Sequence, residues 1–242
     1  MIDIHTHILP GLDDGARDME DALAMAELSA RSGVHTVVAT SHANTGGYFR
    51  EYHVGEYLRR LEEFQNVLRV EDIPLRILPG MEIYMTEGAV DRIRRGEMIS
   101  INHTDYFLTE FSFGIEQEEM DELLDELMEL DVIPVIAHPE RYRCVQNSAR
   151  GIYEWMERGC LTQVNRGSIF GKFGSEAKRC VDHLLNKHMV TCIASDAHKP
   201  YERTTYMADI KEYMEREYSF EYSKKLLYDN PKKILEGEKV VR

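Results

Sequence analysis

His5 and His7 are separated by one residue at the end of a short apolar run. On an extended strand, residues i and i+2 point to the same face of the sheet, so the two imidazoles would lie side by side. Imidazole is a common protein ligand for ions such as Zn²⁺, Mn²⁺ and Fe²⁺. The pair therefore predicts half of a metal site, provided that other parts of the chain supply further ligands.

Further histidines and carboxylates follow at the ends of other predicted strands. In a parallel α/β barrel, active-site residues lie at the carboxyl ends of the strands, so these side chains would meet at one rim. The set contains more donors than one tetrahedral ion requires and suits two or three divalent ions that share carboxylates. The predicted metal ligands are His5, His7, His42, Glu82, Glu110, His138, Asp196 and His198.

Two arginines follow ligands on the same predicted rim. Arg141 comes three residues after His138, and Arg203 comes five residues after His198. Guanidinium groups bind phosphate through paired hydrogen bonds, although ordinary surface arginines would explain the two positions equally well. Asp3 is expected to orient a metal ligand through a hydrogen bond, without contacting the ion itself. The turn at 13–15 has two readings, namely contact with the site or turn chemistry alone.

Short aliphatic runs alternate with helical patterns along the whole chain, which is typical of a parallel α/β protein. A dinucleotide-binding glycine motif is missing from the sequence, which favours a closed or nearly closed barrel in a single domain, residues 1–242. The patterns predict helices at 18–32, 52–69, 117–130, 146–158, 174–188 and 203–217, with one or two more in Tyr218–Arg242. The predicted strands are Ile2–His5, Thr36–Thr40, Arg76–Ile83, Tyr106–Glu110, Ile133–Ala137, Thr162–Asn165 and Val190–Ala194.

The composition excludes several classes of protein. The 242 residues carry a formal net charge of -14 and lack a basic run, which argues against a nucleic-acid partner. We find neither a signal-peptide pattern nor an apolar segment long enough to span a membrane. The cysteines have no Cys-x-x-Cys spacing, which indicates free thiols and a cytoplasmic location.

Cysteine spacing raises one competing possibility. Cys144 and Arg150 are related by Cys-x5-Arg, as are Cys160 and Arg166, and this spacing occurs in thiolate-based tyrosine phosphatases. That chemistry needs a glycine-rich turn between a strand and a helix to present backbone N–H groups to phosphate. Residues 145–149 contain no glycine, and Cys160 begins a predicted strand, so we discount a thiolate mechanism.

The motifs resemble a known family along nearly the whole chain. Five segments resemble the PHP (polymerase and histidinol phosphatase) superfamily: Asp3–His7, Thr40–His42, Glu82, His138 and Ser195–His198. Others are similar to the CpsB/CapC family of bacterial metal-dependent protein-tyrosine phosphatases: Asp13–Gly15, Glu82–Tyr84, Glu110–Ser112, Pro134–Tyr142, Thr162–Asn165 and Asn230–Pro231. Ala43 departs from the pattern, because many members have a second histidine there.

The resemblance implies a distorted (β/α)7 barrel of TIM-like form, the PHP fold. It implies that the eight residues above hold a trinuclear cluster, with Mn or Fe favoured and Mg or Zn as alternatives, and that Arg141 and Arg203 bind phosphate. The implied activity is hydrolysis of phosphotyrosine on a bacterial tyrosine kinase that regulates capsule or exopolysaccharide synthesis. The oligomeric state stays open, since relatives include monomers and rings.

Three other functions remain to be weighed. The nearest is a small-molecule phosphatase of the same superfamily, such as a histidinol-phosphatase. Amidohydrolases also begin with His-x-His on a barrel strand, but many place a carbamylated lysine where this chain has Glu110. A metal-binding regulator without enzymatic activity is the third.

Overall fold

The computed structural model describes residues 1–86 and 88–241. Strands and helices alternate through this part of the chain, as the hydrophobic pattern predicts. The strands are β1 (Ile2–Thr6), β2 (Thr36–Ala39), β3 (His42–Ala43), β4 (Arg76–Pro79), β5 (Glu82–Tyr84), β6 (Tyr106–Glu110), β7 (Ile133–Ala137), β8 (Leu161–Asn165) and β9 (Cys192–Ala194). The helices are α1 (Met19–Arg31), α2 (Val54–Val70), α3 (Ala89–Arg94), α4 (Gln117–Met128), α5 (Arg143–Asn147), α6 (Arg150–Glu157), α7 (Arg166–Ile169), α8 (Ser175–Asn186), α9 (Ala208–Glu217), α10 (Phe220–Lys224) and α11 (Asn230–Glu236).

The paired strands are all parallel and form two sheets within the described residues. The smaller sheet has the order β1-β2-β4, and the larger has the order β3-β5-β6-β7-β8-β9. A short non-strand step separates β2 from β3, and a second separates β4 from β5, so each of these two runs contributes to both sheets. A single parallel bridge joins Thr6, at the end of β1, to Ala197, just beyond β9.

Several predicted boundaries are wrong. The predicted strand Thr36–Thr40 ends at Ala39, and the predicted strand Arg76–Ile83 is interrupted between Pro79 and Glu82. The helix predicted at 146–158 is broken at Ser148, whose extended backbone separates α5 from α6. The helix predicted at 203–217 begins only at Ala208, because the segment before it loops over the carboxyl ends of the strands. The last strand begins at Cys192 instead of Val190. The predicted terminal stretch Tyr218–Arg242 forms helices, but Arg242 itself lies outside the described residues.

The core lies between the sheets and the helices that cover them. All five residues of β1 and all four of β2 are buried, as expected for parallel strands covered on both faces. One face of α4 is turned inward: Met120, Leu124 and Leu127 are buried, and Leu123 and Met128 pack partly against the core. None of the described helices has the length and apolar character that a membrane crossing requires.

Tyr57, on α2, holds the two interrupted strands together. Its side chain is fully buried, and its hydroxyl donates to the Ala39 carbonyl oxygen at 2.6 Å and accepts from the Gly80 N–H at 3.0 Å. Gly80 allows the close approach that this step needs, since a Cβ there would lie 2.6 Å from a methyl carbon of Val38. The tyrosine thus satisfies backbone groups that the interruption removes from the strand ladder.

We expect Tyr57→Phe to lower the free energy of unfolding by about 1–3 kcal/mol, because two buried backbone groups would lose their partner. Urea denaturation measures this change. Tyr153→Phe is the matched control, since the Tyr153 side chain is more than half exposed, and it should change stability by less than about 0.5 kcal/mol. Equal stability of the two variants would contradict the role of the Tyr57 hydroxyl.

Candidate metal centre

The eight predicted ligands lie together at the carboxyl ends of the strands, and none is more than 9% exposed. Their donor atoms form overlapping groups, each with all atoms within 4.8 Å of one another. One group joins His5, His7, Glu82 and Asp196, and a second joins His42, Glu82 and Glu110. The sequence prediction that these side chains meet at one rim is therefore correct in its geometry. His198 belongs to a third group, described below, and His138 falls in none of the groups but contacts Glu82 directly.

Glu82 occupies the centre of this cluster. One carboxylate oxygen, Oε2, lies 3.2 Å from His5 Nε2, 3.1 Å from His7 Nε2 and 3.1 Å from His42 Nδ1. The other oxygen, Oε1, lies 2.9 Å from His138 Nε2. Glu82 thus contacts four histidines from three different strand ends, those of β1, β3 and β7.

Several buried donor atoms of the cluster form no hydrogen bond with described residues. They are His42 Nδ1, Glu82 Oε2, Asp196 Oδ1 and His198 Nε2. Buried polar atoms in folded proteins nearly always have a partner, so a convergence of unsatisfied carboxylate oxygens and imidazole nitrogens is unusual. Divalent cations would satisfy these atoms, and the mixed nitrogen and oxygen set suits Mn²⁺, Fe²⁺ or Zn²⁺.

The electrostatics of the cluster agree with cation binding. Burial lowers the pKa of His42 to about 4 and that of His138 to about 4, so both imidazoles are neutral near pH 7 and keep a free lone pair. Burial, together with the negative charges of Glu82 and Asp196, raises the pKa of Glu110 well above its usual value. Negative charge is therefore in excess at Glu110, which a bound cation would relieve.

Asp13 supports two of the candidate ligands at once. Its Oδ2 atom accepts a hydrogen bond from His7 Nδ1 at 2.8 Å and another from the His42 backbone N–H at 2.8 Å. The first contact directs His7 Nε2 toward Glu82, as carboxylates commonly do behind metal-bound histidines. Of the two interpretations of residues 13–15, the contacts of Asp13 support contact with the site and not turn chemistry alone.

Asp14 was not predicted as a ligand, but it lies within ligand distance of the cluster. Its Oδ1 atom is 3.3 Å from His198 Nε2 and 3.6 Å from His42 Nε2, and it forms a third donor group with these residues and His7. Gly15 permits the turn to pack here, because a Cβ would lie only 2.1 Å from the His7 carbonyl oxygen. The Asp-Asp-Gly sequence was the only available sign of this arrangement.

A chain of amides supports the opposite side. Gln163 Oε1 accepts from His5 Nδ1 at 2.7 Å, and Gln163 Nε2 donates to Asn165 Oδ1 at 2.9 Å. Asn165 Nδ2 then donates to Asp196 Oδ2 at 2.6 Å. Asp3 was expected to orient a ligand, and it does so through the backbone, since its Oδ1 accepts from the N–H groups of His5 and Ser195.

Local backbone structure directs ligands from β6, β7 and β9 into the cluster. Tyr142 donates to the Ala137 carbonyl oxygen at 2.8 Å and accepts from the Phe111 N–H at 3.1 Å, so it joins the segments that carry His138 and Glu110. His138 and Asp196 have φ angles of 34° and 50°. Such left-handed conformations are uncommon for residues other than glycine and concentrate at functional sites.

A cavity of about 420 Å³ opens directly above the cluster, within the range typical of small-molecule sites. Arg203 Nη2 lies 2.6 Å from Asp196 Oδ2, and Arg141 Nη1 lies 3.7 Å from the same oxygen. Both guanidinium groups line the cavity, as do aromatic side chains. Those aromatic residues are Tyr48, Phe49, Tyr84, Phe111 and Phe113.

The cysteines lie apart from this cavity. Cys144 lies within α5 and not in a loop between a strand and a helix, and burial raises the pKa of its thiol. Burial also raises the pKa of Cys180 to about 12. These environments disfavour the thiolate, which agrees with our rejection of the Cys-x5-Arg spacing as a phosphatase motif.

Comparison with known proteins adds to this geometry. The chain is 34% identical over 242 residues to the tyrosine-protein phosphatase YwqE of Bacillus subtilis, covering 100% of this chain and 94% of that protein. It is 32% identical to the tyrosine-protein phosphatase CpsB of Streptococcus pneumoniae, over 97% of this chain and 98% of that protein.

Solved structures agree in shape. A crystal structure from work on YwqE and CpsB, described as unique metal-dependent tyrosine phosphatases, has a TM-score of 0.92 at 33% identity and covers 100% of this chain and 97% of the solved one. The lactonase Lmo2620 of Listeria monocytogenes has a TM-score of 0.62 at 12% identity, over 97% of this chain and 94% of that chain, which indicates a shared fold alone.

A family profile described as "Capsular polysaccharide synthesis, CpsB/CapC" matches residues 1–236. This match spans nearly the whole chain and includes the candidate metal cluster, both arginines and the turn that carries Asp13 and Asp14. The chain therefore belongs to the CpsB/CapC family.

Proposed function

We propose that this protein is a metal-dependent phosphatase that removes phosphate from phosphotyrosine in a protein substrate. The observation that carries the proposal is the cavity itself, whose floor is the cluster of histidines and carboxylates and whose walls combine two arginines with aromatic rings. Family membership and the names of the relatives support the same reaction.

The proposed metal ligands are the eight residues predicted from the sequence, with Asp14 as a further candidate at the edge of the cluster. Two or three divalent ions would bind there, with Mn or Fe favoured. When bound, they would act as Lewis acids toward the phosphate and would lower the pKa of a water molecule, so that it attacks phosphorus near neutral pH. His138 and His42, kept neutral by burial, supply imidazole nitrogens for this purpose.

Arg141 and Arg203 are the proposed phosphate-binding residues. The ion pair with Asp196 orients Arg203 toward the cavity, and the Arg141 guanidinium lies over the Phe113 ring, 4.2 Å from its centroid. Both cations would stabilise the charge that develops on the phosphate oxygens. The phenolate leaving group has a pKa of about 10 and needs no strong acid to leave. The proposed reaction therefore needs no covalent phosphocysteine intermediate.

The aromatic walls fit the phenyl ring of the substrate. Phe49 is stacked on His42 with ring centroids 4.8 Å apart, and Phe113 stands on the side of His138 at 5.9 Å. A phosphate held on the floor would place the attached ring between such surfaces, where stacking and burial favour an aryl over an alkyl phosphate.

Architecture and cellular role complete the proposal. We propose a distorted (β/α)7 barrel formed by residues 1–242 as one domain, in which β2 with β3 and β4 with β5 each count as one strand. The bridge between Thr6 and Ala197 supports this closure.

We propose a bacterial tyrosine kinase that controls capsule synthesis as the substrate, consistent with the family description. The free cysteines suit action in the cytoplasm.

Metal removal tests the central claim. Chelation should abolish hydrolysis of a phosphotyrosine peptide, and added Mn²⁺ or Fe²⁺ should restore it. His138→Ala and Asp196→Ala should each lower kcat by at least about 100-fold, because each removes a proposed ligand of the catalytic metal ions. Cys144→Ser is the control and should retain activity. An inactive Cys144→Ser protein beside an active His138→Ala protein would overturn the mechanism.

Asp13→Asn should weaken metal binding by about 10- to 100-fold, since the amide has no negative charge and keeps one acceptor oxygen where Asp13 uses both, one for His7 and His42 and the other for Gly15. Competition with a chromogenic chelator measures the affinity. Asp105→Asn provides a matched control, because Asp105 is exposed at the beginning of β6, the opposite end of that strand from Glu110. Equal affinities of the two variants would show that Asp13 does not support the metal site.

Substrate choice separates this proposal from a histidinol-phosphatase-like activity. We expect kcat/KM for a phosphotyrosine peptide to exceed that for histidinol phosphate by at least about tenfold, given the 1.5–3 kcal/mol typical of burying a large apolar side chain. Steady-state assays with the Mn²⁺-loaded protein measure the ratio. The reverse preference would favour the small-molecule phosphatase instead.

A further inference from the structure

A second groove lies beside the catalytic cavity. It has a volume of about 250 Å³ and is lined by Phe113, Arg141, Arg143, Gln146, Phe173 and Ala177. Phe113 and Arg141 also line the catalytic cavity, so the two depressions share a wall. A substrate whose phosphate is bound in the cavity, and whose chain extends past Phe113 and Arg141, would therefore enter the groove.

The shared wall is held in place by stacking. The guanidinium carbon of Arg141 lies 4.2 Å from the centroid of the Phe113 ring and 4.5 Å from the centroid of the Phe173 ring. Contact with aromatic faces restrains the guanidinium group while leaving its N–H edge free to bind an anion. Arg141 thus separates the two depressions without closing either.

Arg143 supplies the charge of the groove. Its backbone N–H donates to the Phe113 carbonyl oxygen at 3.0 Å, which fixes its position next to the wall. Most arginines of this acidic chain pair with carboxylates, as Arg150 does with Glu154. Arg143, by contrast, is exposed and forms no ion pair with any residue in the described ranges.

Other contacts give the groove a fixed shape. Gln146 donates from Nε2 to the Glu140 carbonyl oxygen at 2.9 Å, which anchors its side chain where it lines the groove. Arg143 and Gln146 both lie on the short helix α5, which follows directly from the segment carrying His138 and Arg141. The groove is therefore built on the same part of the chain as the catalytic rim.

We infer that this groove binds the stretch of substrate polypeptide next to the phosphotyrosine and that Arg143 selects an anionic side chain there. The inference rests on the proposed function, because the phosphotyrosine must occupy the neighbouring cavity. An unpaired cation in a chain of net charge -14 is complementary to a carboxylate or a second phosphorylated residue. Phe113 and Phe173 contribute apolar surface for the adjoining backbone and side chains.

Synthetic phosphotyrosine peptides test the inference. One set places a single glutamate one, two or three residues before or after the phosphotyrosine in an otherwise neutral sequence, and a second set places another phosphotyrosine there. With the Mn²⁺-loaded protein, at least one position should raise kcat/KM about fivefold over the neutral peptide, mainly through KM, and the gain should decline with salt. Comparison of the two sets distinguishes a carboxylate from a second phosphate.

Variants locate the effect. Arg143→Gln should remove the gain and leave turnover of the neutral peptide and of p-nitrophenyl phosphate unchanged, while Arg143→Glu should prefer a lysine at the same position. Arg76→Gln is the matched control, because Arg76 is also exposed and forms no ion pair with the residues that the structure describes, but lies at the amino end of β4. The inference is overturned if no position gives a gain, or if Arg143→Gln slows neutral and acidic peptides alike.

Binding measurements separate this inference from the proposed function. Peptides with a non-hydrolysable phosphonate in place of the tyrosine phosphate should bind the metal-loaded protein with the same dependence on a neighbouring anion and on Arg143. A protein that hydrolyses no phosphotyrosine peptide would contradict the proposed function. If the phosphonate peptides bind equally well with and without a neighbouring anion, the proposed role of the groove is contradicted and the proposed function is not.

Discussion

Negative charge that is buried without enough positive charge is the constraint on which this structure depends. The Glu82 carboxylate lies 2.9–3.2 Å from four imidazoles, nearly out of reach of water, while Glu110 and Asp196 add further carboxylates close by. Burying such groups is costly unless they are paired or bind a metal. Much of the surrounding structure, from Asp13 to the chain of amides behind His5, holds donor atoms in positions where a cation would balance them.

The fold achieves this with parallel strands, and two of the strand runs are interrupted just before they reach the site. Two buried tyrosines solve the same problem at separate points, since each hydroxyl joins a carbonyl oxygen of one strand run to an N–H group of its neighbour. Tyr57 acts where β2 and β4 are interrupted, just before His42 and Glu82. Tyr142 acts between the ends of β6 and β7, next to Glu110 and His138. The side chains of the site are therefore held by a frame that ordinary strand pairing would not supply.

Much of the candidate site could be predicted because its residues follow strands whose hydrophobic pattern is clear. His138 and Glu110 come directly at the end of hydrophobic runs, and parallel strands bring such ends to one edge. Asp14, Gln163 and Tyr57 could not be assigned in the same way. Their roles depend on contacts between residues 18 or more positions apart in the chain, or on a turn whose sequence suits any surface loop. The interruptions of β2 and β4 also left no sign in the hydrophobic pattern, because the residues on both sides are equally buried.

The pairing of the first strand with the last has a consequence for how the protein is made. The His5 carbonyl oxygen accepts from the Asp196 N–H, and the Thr6–Ala197 bridge continues this contact. His5 and His7 leave the ribosome before the other residues of the cluster, and partners nearly 200 residues later complete their surroundings. Such distant contacts slow folding and leave a long interval in which the growing chain is incomplete. The nascent protein thus carries these two imidazoles without their partners until β9 and the residues that follow it have emerged.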